Sequence, residues 1–401
     1  MKNDKKPRKN KHFKRPSLLF YHFFCAFLWP IYRLRAPYRI ERDALKGIKG
    51  PAVVLAPHTS FSDFAYVALA LYPHRVTFVM NRVYFANPLL RFLFRFLRPI
   101  PKKLFSPDLS TVRAIYAAKE SKAIIGIFPE GRLTTDGISF PLAAGTAELI
   151  KKLGVDVYVL SCNGAYLVRP KWSDKKRKGR ITVSTKKLFC GADLADMDIA
   201  DVTSALSGAL AHNDEDFAAK SCLYKCTEMA KGLEKILYLC PKCKQEFTLS
   251  TEKDRISCSC GFSATLDESY FLHGAPYERI SEWNTAQKRE LSEKLDTLTF
   301  SVPVRAVAFE NNRRVEKGDG VCYMDAQSFR FESERLSFSY PTASLIGLPY
   351  TAGSDIGVYH REVLYYFYLK ENPNQCAKWS LFVGLCVERA KENARQVNKP
   401  T

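Results

Sequence analysis

The chain has 401 residues, of which 46% are hydrophobic and 25% charged, enough to bury a core in each of two or three domains and too long to be a small peptide that depends on disulfide staples. Its net charge of +20 favours an anionic partner such as a phospholipid surface, a phosphorylated substrate or nucleic acid, without choosing among them. Eight of the twelve cysteines (Cys25, Cys162, Cys190, Cys222, Cys226, Cys322, Cys376 and Cys386) show no paired framework with regular spacing, so a reducing, cytosol-facing compartment fits better than secretion.

Residues 1–34 read as a basic arm followed by a membrane anchor. Eight Lys or Arg stand against one Asp in the first fifteen positions, ahead of an uncharged, aromatic-rich stretch from Pro16 to Tyr32. That stretch falls short of the ~20 apolar residues a spanning helix needs, and it contains His22 and Pro30. It therefore predicts an interfacial or re-entrant anchor on the cytoplasmic face, peripheral or monotopic. No small-residue cleavage site follows it, so it is not read as a signal peptide.

Residues 35–215 predict an α/β domain with a largely parallel sheet flanked by helices. The expected strands are Ala52–Ala56, Val76–Met80, Ala123–Phe128 and Val155–Ser161; the expected helices are Ser62–Leu71, Phe85–Leu97, Leu109–Ser121 and Ala143–Leu153. An acidic stretch from Asp193 to Asp216 reads as surface helix or linker. Residues 216–239 read as a helical linker and 240–265 as a cysteine-bearing module. Residues 266–401 read as a β-rich domain with helices at Glu282–Leu295 and in the latter half of Trp379–Ala394, a small barrel or sandwich resembling the pleckstrin-homology and GRAM type.

Two strand ends carry the chemistry. The first strand runs into His58-Thr-Ser-Phe-Ser-Asp63. Five positions on a regular helix would hold the histidine and the carboxylate apart, so they meet only if His58 sits on the loop and Asp63 in the first helical turn, with Ser60 as N-cap. Ser60-x-x-Asp63 is also, by itself, a capping signature. A later strand ends in Phe128-Pro129-Glu130-Gly131-Arg132, at the edge where open α/β sheets bind ligands. Arg132 offers a planar cationic fork suited to phosphate, and Glu130 could orient it or bind a polyol.

Two further segments are basic. Arg91, Arg95 and Arg98 punctuate an otherwise apolar helix from Phe85, a pattern suited to the bilayer interface. Six basic residues within Lys171–Arg180, beside Trp172, form a loop that is either solvated or grips anionic head groups.

Together, His-x4-Asp after the first strand and Phe-Pro-Glu-Gly-Arg after a later one resemble the glycerolipid acyltransferase family, the group containing 1-acylglycerol-3-phosphate acyltransferases. The resemblance covers roughly residues 35–185. It implies that a fatty acyl group moves from acyl-CoA or acyl-carrier protein to a lysophospholipid hydroxyl without a catalytic cofactor. By the same resemblance His58 is the general base, Asp63 its orienting partner, and Glu130, Gly131 and Arg132 hold the glycerol phosphate. Many relatives carry Phe-Pro-Glu-Gly-Thr-Arg, and often an acceptor-binding Arg after an Ile-Pro turn; this chain has Lys102 and Lys103 there, point charges without a bidentate fork.

Cys240, Cys243, Cys258 and Cys260 flank an expected β-hairpin and resemble a zinc ribbon, although the second half is C-x-C. Four thiolates imply a closed, structural Zn site. Cys222 and Cys226 share a face only if their segment is helical, and they are left out of it. A ribbon and a basic chain also raise nucleic-acid binding, which the concentration of charge in the arm, one helix and one loop disfavours.

Overall fold

The computed structural model describes residues 13–103, 108–220, 223–310 and 313–397; most of the basic arm, up to residue 12, and Cys222 lie outside them. The first part of the chain runs α1 (Leu18–Arg35), β1 (Tyr38–Ile40), β2 (Ala52–Leu55), α2 (Asp63–Leu71), β3 (Val76–Asn81), α3 (Pro88–Leu97), β4 (Ile100–Lys102), α4 (Leu109–Glu120), β5 (Ile124–Ile127), α5 (Thr146–Leu153), β6 (Asp156–Asn163), α6 (Ala165–Val168), β7 (Ile181–Phe189), α7 (Ile199–Leu210) and α8 (Asp214–Lys220). Its seven strands lie in the order β1-β7-β6-β2-β5-β3-β4. Every neighbouring pair is parallel except β6–β7.

Alternation along each strand splits the core between the two faces of this sheet. Val53, Leu55, Ile125, Val157 and Val159 pack with Ile115 of α4, Ile150 of α5 and Val202 and Leu206 of α7. Ala52, Val54, Ile124, Tyr158 and Leu160 face the other way, toward α1 and α2. The stretch 193–216, expected as surface helix or linker, thus holds a helix that seals one face, with Val202, Leu206 and Leu210 buried at four-residue spacing.

Helix α1 buries Tyr21, Cys25, Leu28 and Tyr32 on one stripe and exposes Leu19, Phe23, Phe27 and Trp29 on the rest. Its Phe20 ring stacks on Phe96 of α3 at 4.6 Å. Helix α3 buries no residue, and Leu89 and Phe92 stand in the open. The two helices therefore form one apolar surface. Among the described residues no helix is long and apolar enough to cross a membrane.

The expected helical linker at 216–239 is mostly irregular, with α8 ending at Lys220 and one short 3-10 turn at Leu233–Lys235. Gly232 explains part of this: its φ is +98°, and a Cβ there would lie 2.3 Å from the Trp172 carbonyl oxygen. The segment still buries Tyr224, Met229, Ala230, Leu233 and Ile236 in the same cluster as α1 and α2.

Strands β8 (Leu249–Glu252), β9 (Arg255–Cys258), β10 (Ser263–Leu266) and β11 (Leu272–His273) form an antiparallel sheet around the cysteine cluster. Helix α9 (Ile280–Glu293) follows, and Glu215 anchors its start by accepting from the amides of Ile280 and Ser281 and from the Ser281 hydroxyl. The chain ends in β12 (Phe300–Glu310), β13 (Arg313–Met324), β14 (Ser328–Glu332), β15 (Ser337–Pro341), β16 (Tyr350–Thr351), β17 (Asp355–His360), β18 (Val363–Leu369) and α10 (Cys376–Val397).

These last strands make one antiparallel sheet in the order β15-β14-β13-β12-β18-β17-β16, in keeping with the β-rich domain expected. Its end strands do not pair, yet Tyr340 on β15 hydrogen-bonds His360 on β17 at 2.8 Å. The sheet must therefore curl on itself, as twist requires over this many strands. Trp379, Phe382 and Val383 of α10 plug the curl, so the terminal helix occupies the whole of 376–397 and not only its latter half.

Candidate active site

Because β2, β3, β4 and β5 are parallel neighbours, their C-terminal ends share one edge of the sheet, and the predicted residues emerge there. His58 follows β2, Lys102 and Lys103 end β4, and Glu130 to Arg132 follow β5. His58 Nδ1 lies 3.1 Å from Asp63 Oδ2. Asp63 is the first residue of α2, with Ser62 at the N-cap and no side-chain cap, so the expected capping role of Ser60 is not taken up. The direction is reversed: Asp63 Oδ2 accepts from the backbone amides of Thr59 at 2.7 Å and Ser60 at 2.8 Å.

Asp63 is wholly buried. Burial pushes its carboxyl up from the usual carboxylate range, against the pull of the His58 bond and the two amides. The His58 ring lies stacked on Phe128 at 4.4 Å, and Phe128 in turn lies parallel to Phe78 at 6.1 Å. Gly126 makes room for this pile, since a Cβ there would meet the Phe78 ring at 2.6 Å. The ring beneath the histidine, Phe128, belongs to the Phe-Pro-Glu-Gly-Arg motif but was not anticipated as part of the site.

Glu130 is buried, with Oε1 accepting the His58 amide at 3.0 Å and Oε2 the Phe140 amide at 2.9 Å. Burial raises its carboxyl above the ordinary value. The adjacent turn is closed by the Gly131 amide on the Phe128 carbonyl at 3.2 Å, and Gly131 is needed there for its φ of +68°. Arg132 is not oriented by Glu130; its guanidinium lies over the Phe140 ring at 3.7 Å.

Lys102 and Lys103 part company. Burial lowers the Lys102 ammonium, with Asp108 pulling the other way. Lys103 forms an ion pair with Glu362, in the turn between β17 and β18. The curled C-terminal sheet therefore reaches this edge, as it does again where Tyr350 Oη meets Thr135 Oγ1 at 3.0 Å.

The basic loop does not behave as a uniform head-group clamp. Trp172 and Arg177 are buried, stacked at 4.8 Å, and Arg177 donates to the Met229 carbonyl at 2.7 Å. An alternating sequence of charges gave no sign that one arginine turns inward to tie down the segment after α8.

The four predicted metal ligands do converge. All four Sγ atoms lie within 4.8 Å of one another, with Cys240 to Cys260 at 3.7 Å and Cys243 to Cys258 at 3.8 Å. Bonds of ~2.3 Å in a tetrahedron give sulfur separations of ~3.8 Å, so the donor set fits zinc and is too wide for disulfides.

No curated protein matches the chain. Among solved structures it is similar to the crystal structure of the 1-acyl-sn-glycerophosphate (LPA) acyltransferase, PlsC, from Thermotoga maritima, at 15% identity over 48% of this chain and 75% of that one, with a TM-score of 0.38. The family model described as Acyltransferase matches residues 34–163, the span that holds His58, Asp63 and the Glu130 turn, so this part of the chain is similar to that family.

Proposed function

We propose that the protein transfers a fatty acyl group from acyl-CoA or acyl-carrier protein to the hydroxyl of a lysophospholipid such as 1-acylglycerol-3-phosphate, at the cytoplasmic face of a membrane. The observation that carries this reading is the His58–Asp63 contact. An ionised Asp63 holds the proton on Nδ1, which leaves the Nε2 lone pair to take the proton of the acceptor hydroxyl as it attacks the thioester carbonyl. The C–S bond breaks, the thiol leaves with a proton, and no enzyme nucleophile is required. Thr59 and Ser60 amides are committed to Asp63, so oxyanion donors come from elsewhere.

The remaining parts have supporting roles. The apolar surface of α1 and α3, rimmed by Arg91 and Arg95, suits the interface of an anionic bilayer. The four thiolates of Cys240, Cys243, Cys258 and Cys260 would hold a structural Zn, which contributes folding energy and no step of the reaction.

The test is acyl transfer by the purified full chain, offering long-chain acyl-CoA and acyl-carrier protein against a panel of lysophospholipids, wild type beside His58→Ala. Turnover that drops about 10²- to 10⁴-fold in the variant, with an unchanged melting temperature, is the expected result. Equal turnover in both proteins would remove His58 as the base.

A further inference from the structure

The loop after Gly131 and the loop after α6 bring two cations toward the C-terminal sheet. Arg132 rests on Phe140 at 3.7 Å, and Lys171 Nζ sits 3.5 Å from the ring centre of Tyr350. Tyr350 belongs to β16 and is pinned by Thr135, three residues from Arg132. Among the described residues neither cation has a hydrogen-bond or ion-pair partner; each is backed only by an aromatic face.

A part-buried cation normally has a carboxylate or carbonyl against it, and a ring face replaces only a fraction of that interaction. Burial and the charge of Arg132 together push the Lys171 ammonium down to about 7, while Cys376 and Asp355 favour its charged form from farther away. Of the two carboxylates that favour the charged form of Arg132, Glu130 and Glu388, Glu130 has each oxygen occupied by a backbone amide. Two neighbouring cations so placed suit an anion.

We infer that Lys171, held against Tyr350 of the C-terminal sheet, adds a second cation beside Arg132, whose phosphate role the family resemblance already implies, so that the head group of a phosphorylated lysolipid is also held by the seam with the curled C-terminal sheet. The inference rests on the acyl-transfer reading for the identity of the lipid. It gives the C-terminal domain a part in acceptor selection, and it assigns Lys171, outside both recognisable motifs, as the residue that distinguishes a phosphorylated acceptor from a neutral one. A bound phosphate favours the charged lysine, so binding draws in a proton when the free ammonium is partly neutral.

The experiment compares full-length wild type, Lys171→Met and Lys171→Arg. Binding of lysophosphatidate and of a monoacylglycerol with the same chain is measured by calorimetry in detergent micelles at pH 6 and pH 8, with turnover assayed in parallel. The methionine variant should lose about tenfold in lysophosphatidate affinity at pH 6, the size expected for one charge-assisted contact, and less at pH 8, with monoacylglycerol binding unchanged. The arginine variant should restore lysophosphatidate binding at both pH values. Unchanged lysophosphatidate binding in the methionine variant, equal weakening of both lipids, or no binding of lysophosphatidate by the wild type each overturns the site. If the binding pattern appears as expected and wild type shows no turnover, the anion site stands and the acyl-transfer reading falls.

Discussion

The side chain of Glu130 accepts the backbone N–H of His58 at 3.0 Å across 72 residues of sequence, so the turn after one strand sets the position of the imidazole at the end of its neighbour. The Thr134 amide adds to this by donating to the His58 carbonyl at 2.9 Å. The histidine is thereby held on both sides by the segment from Glu130 to Thr134.

Replacing Glu130 with alanine leaves two amides, of His58 and Phe140, without acceptors. Each such loss costs about 1–3 kcal/mol when water cannot enter. The variant should melt several degrees lower and lose acyl transfer together, whereas Glu130→Gln, which keeps at least one acceptor oxygen, should recover most of the stability. Thermal unfolding of the two variants checks this.

Asp63→Asn tests the reverse capping. The amide keeps the shape of the carboxylate and can place its oxygen where Oδ2 accepts from Thr59, Ser60 and the ring, but it lacks the charge that holds the proton on Nδ1 and stabilises the imidazolium formed in the reaction. Turnover should fall on the order of 10²- to 10⁴-fold, as the ring loses the partner that fixes its tautomer. A loss under tenfold would place the orienting role elsewhere.

Glu215 gives a pH signature unrelated to the active site. Burial pushes its carboxyl up to about 7, against the bonds from Ser281 and Ile280. A carboxyl raised in the folded state contributes stability that is full below its unfolded value near 4.5 and disappears as pH rises through about 7. Wild type should therefore lose up to about 3 kcal/mol between those values relative to Glu215→Gln, which denaturant titrations at pH 5 and pH 8 would reveal as a steeper slope for wild type.

The cysteine cluster should yield one zinc per chain by elemental analysis. Cys240, Cys258 and Phe262 pack in the same hydrophobic cluster as α2, so Cys258→Ser or chelation should lower the melting temperature of the whole first part of the chain, not of a detached module. Absence of metal from protein purified without chelator would argue against the site.

Phe23 and Phe92 are 67% and 53% exposed, on α1 and α3 respectively. The pair Phe23→Asp and Phe92→Asp should leave the melting temperature within about a degree and reduce sedimentation with anionic phospholipid vesicles at least tenfold, each aromatic contributing roughly 1.5–3 kcal/mol when buried in lipid.

Legibility in the sequence followed the range of the forces involved. The four predicted sheet strands appear within one or two residues, because parallel strands buried on both faces read as short apolar runs such as Ile124–Ile127. The His58 to Asp63 approach was readable too, since one loop and one helical turn fix it. Phe128 under the histidine, Glu130 on the His58 amide and Tyr350 beside Lys171 were not, because each depends on packing between segments far apart in the chain. The order of strands in the C-terminal sheet was not readable for the same reason: strand propensity carries no record of which strands pair.

The buried cluster that begins at Tyr21 continues without a break through Trp172, Tyr224, Leu233 and Phe262 to Trp283, and Tyr270 donates its hydroxyl hydrogen to the Leu167 carbonyl. The cysteine module is consequently not a cassette that can be lifted out or exchanged. A chain cut near residue 215 would strip Tyr224, Leu233, Phe262 and Trp283 from the cluster that α1 and α2 share with that face of the sheet.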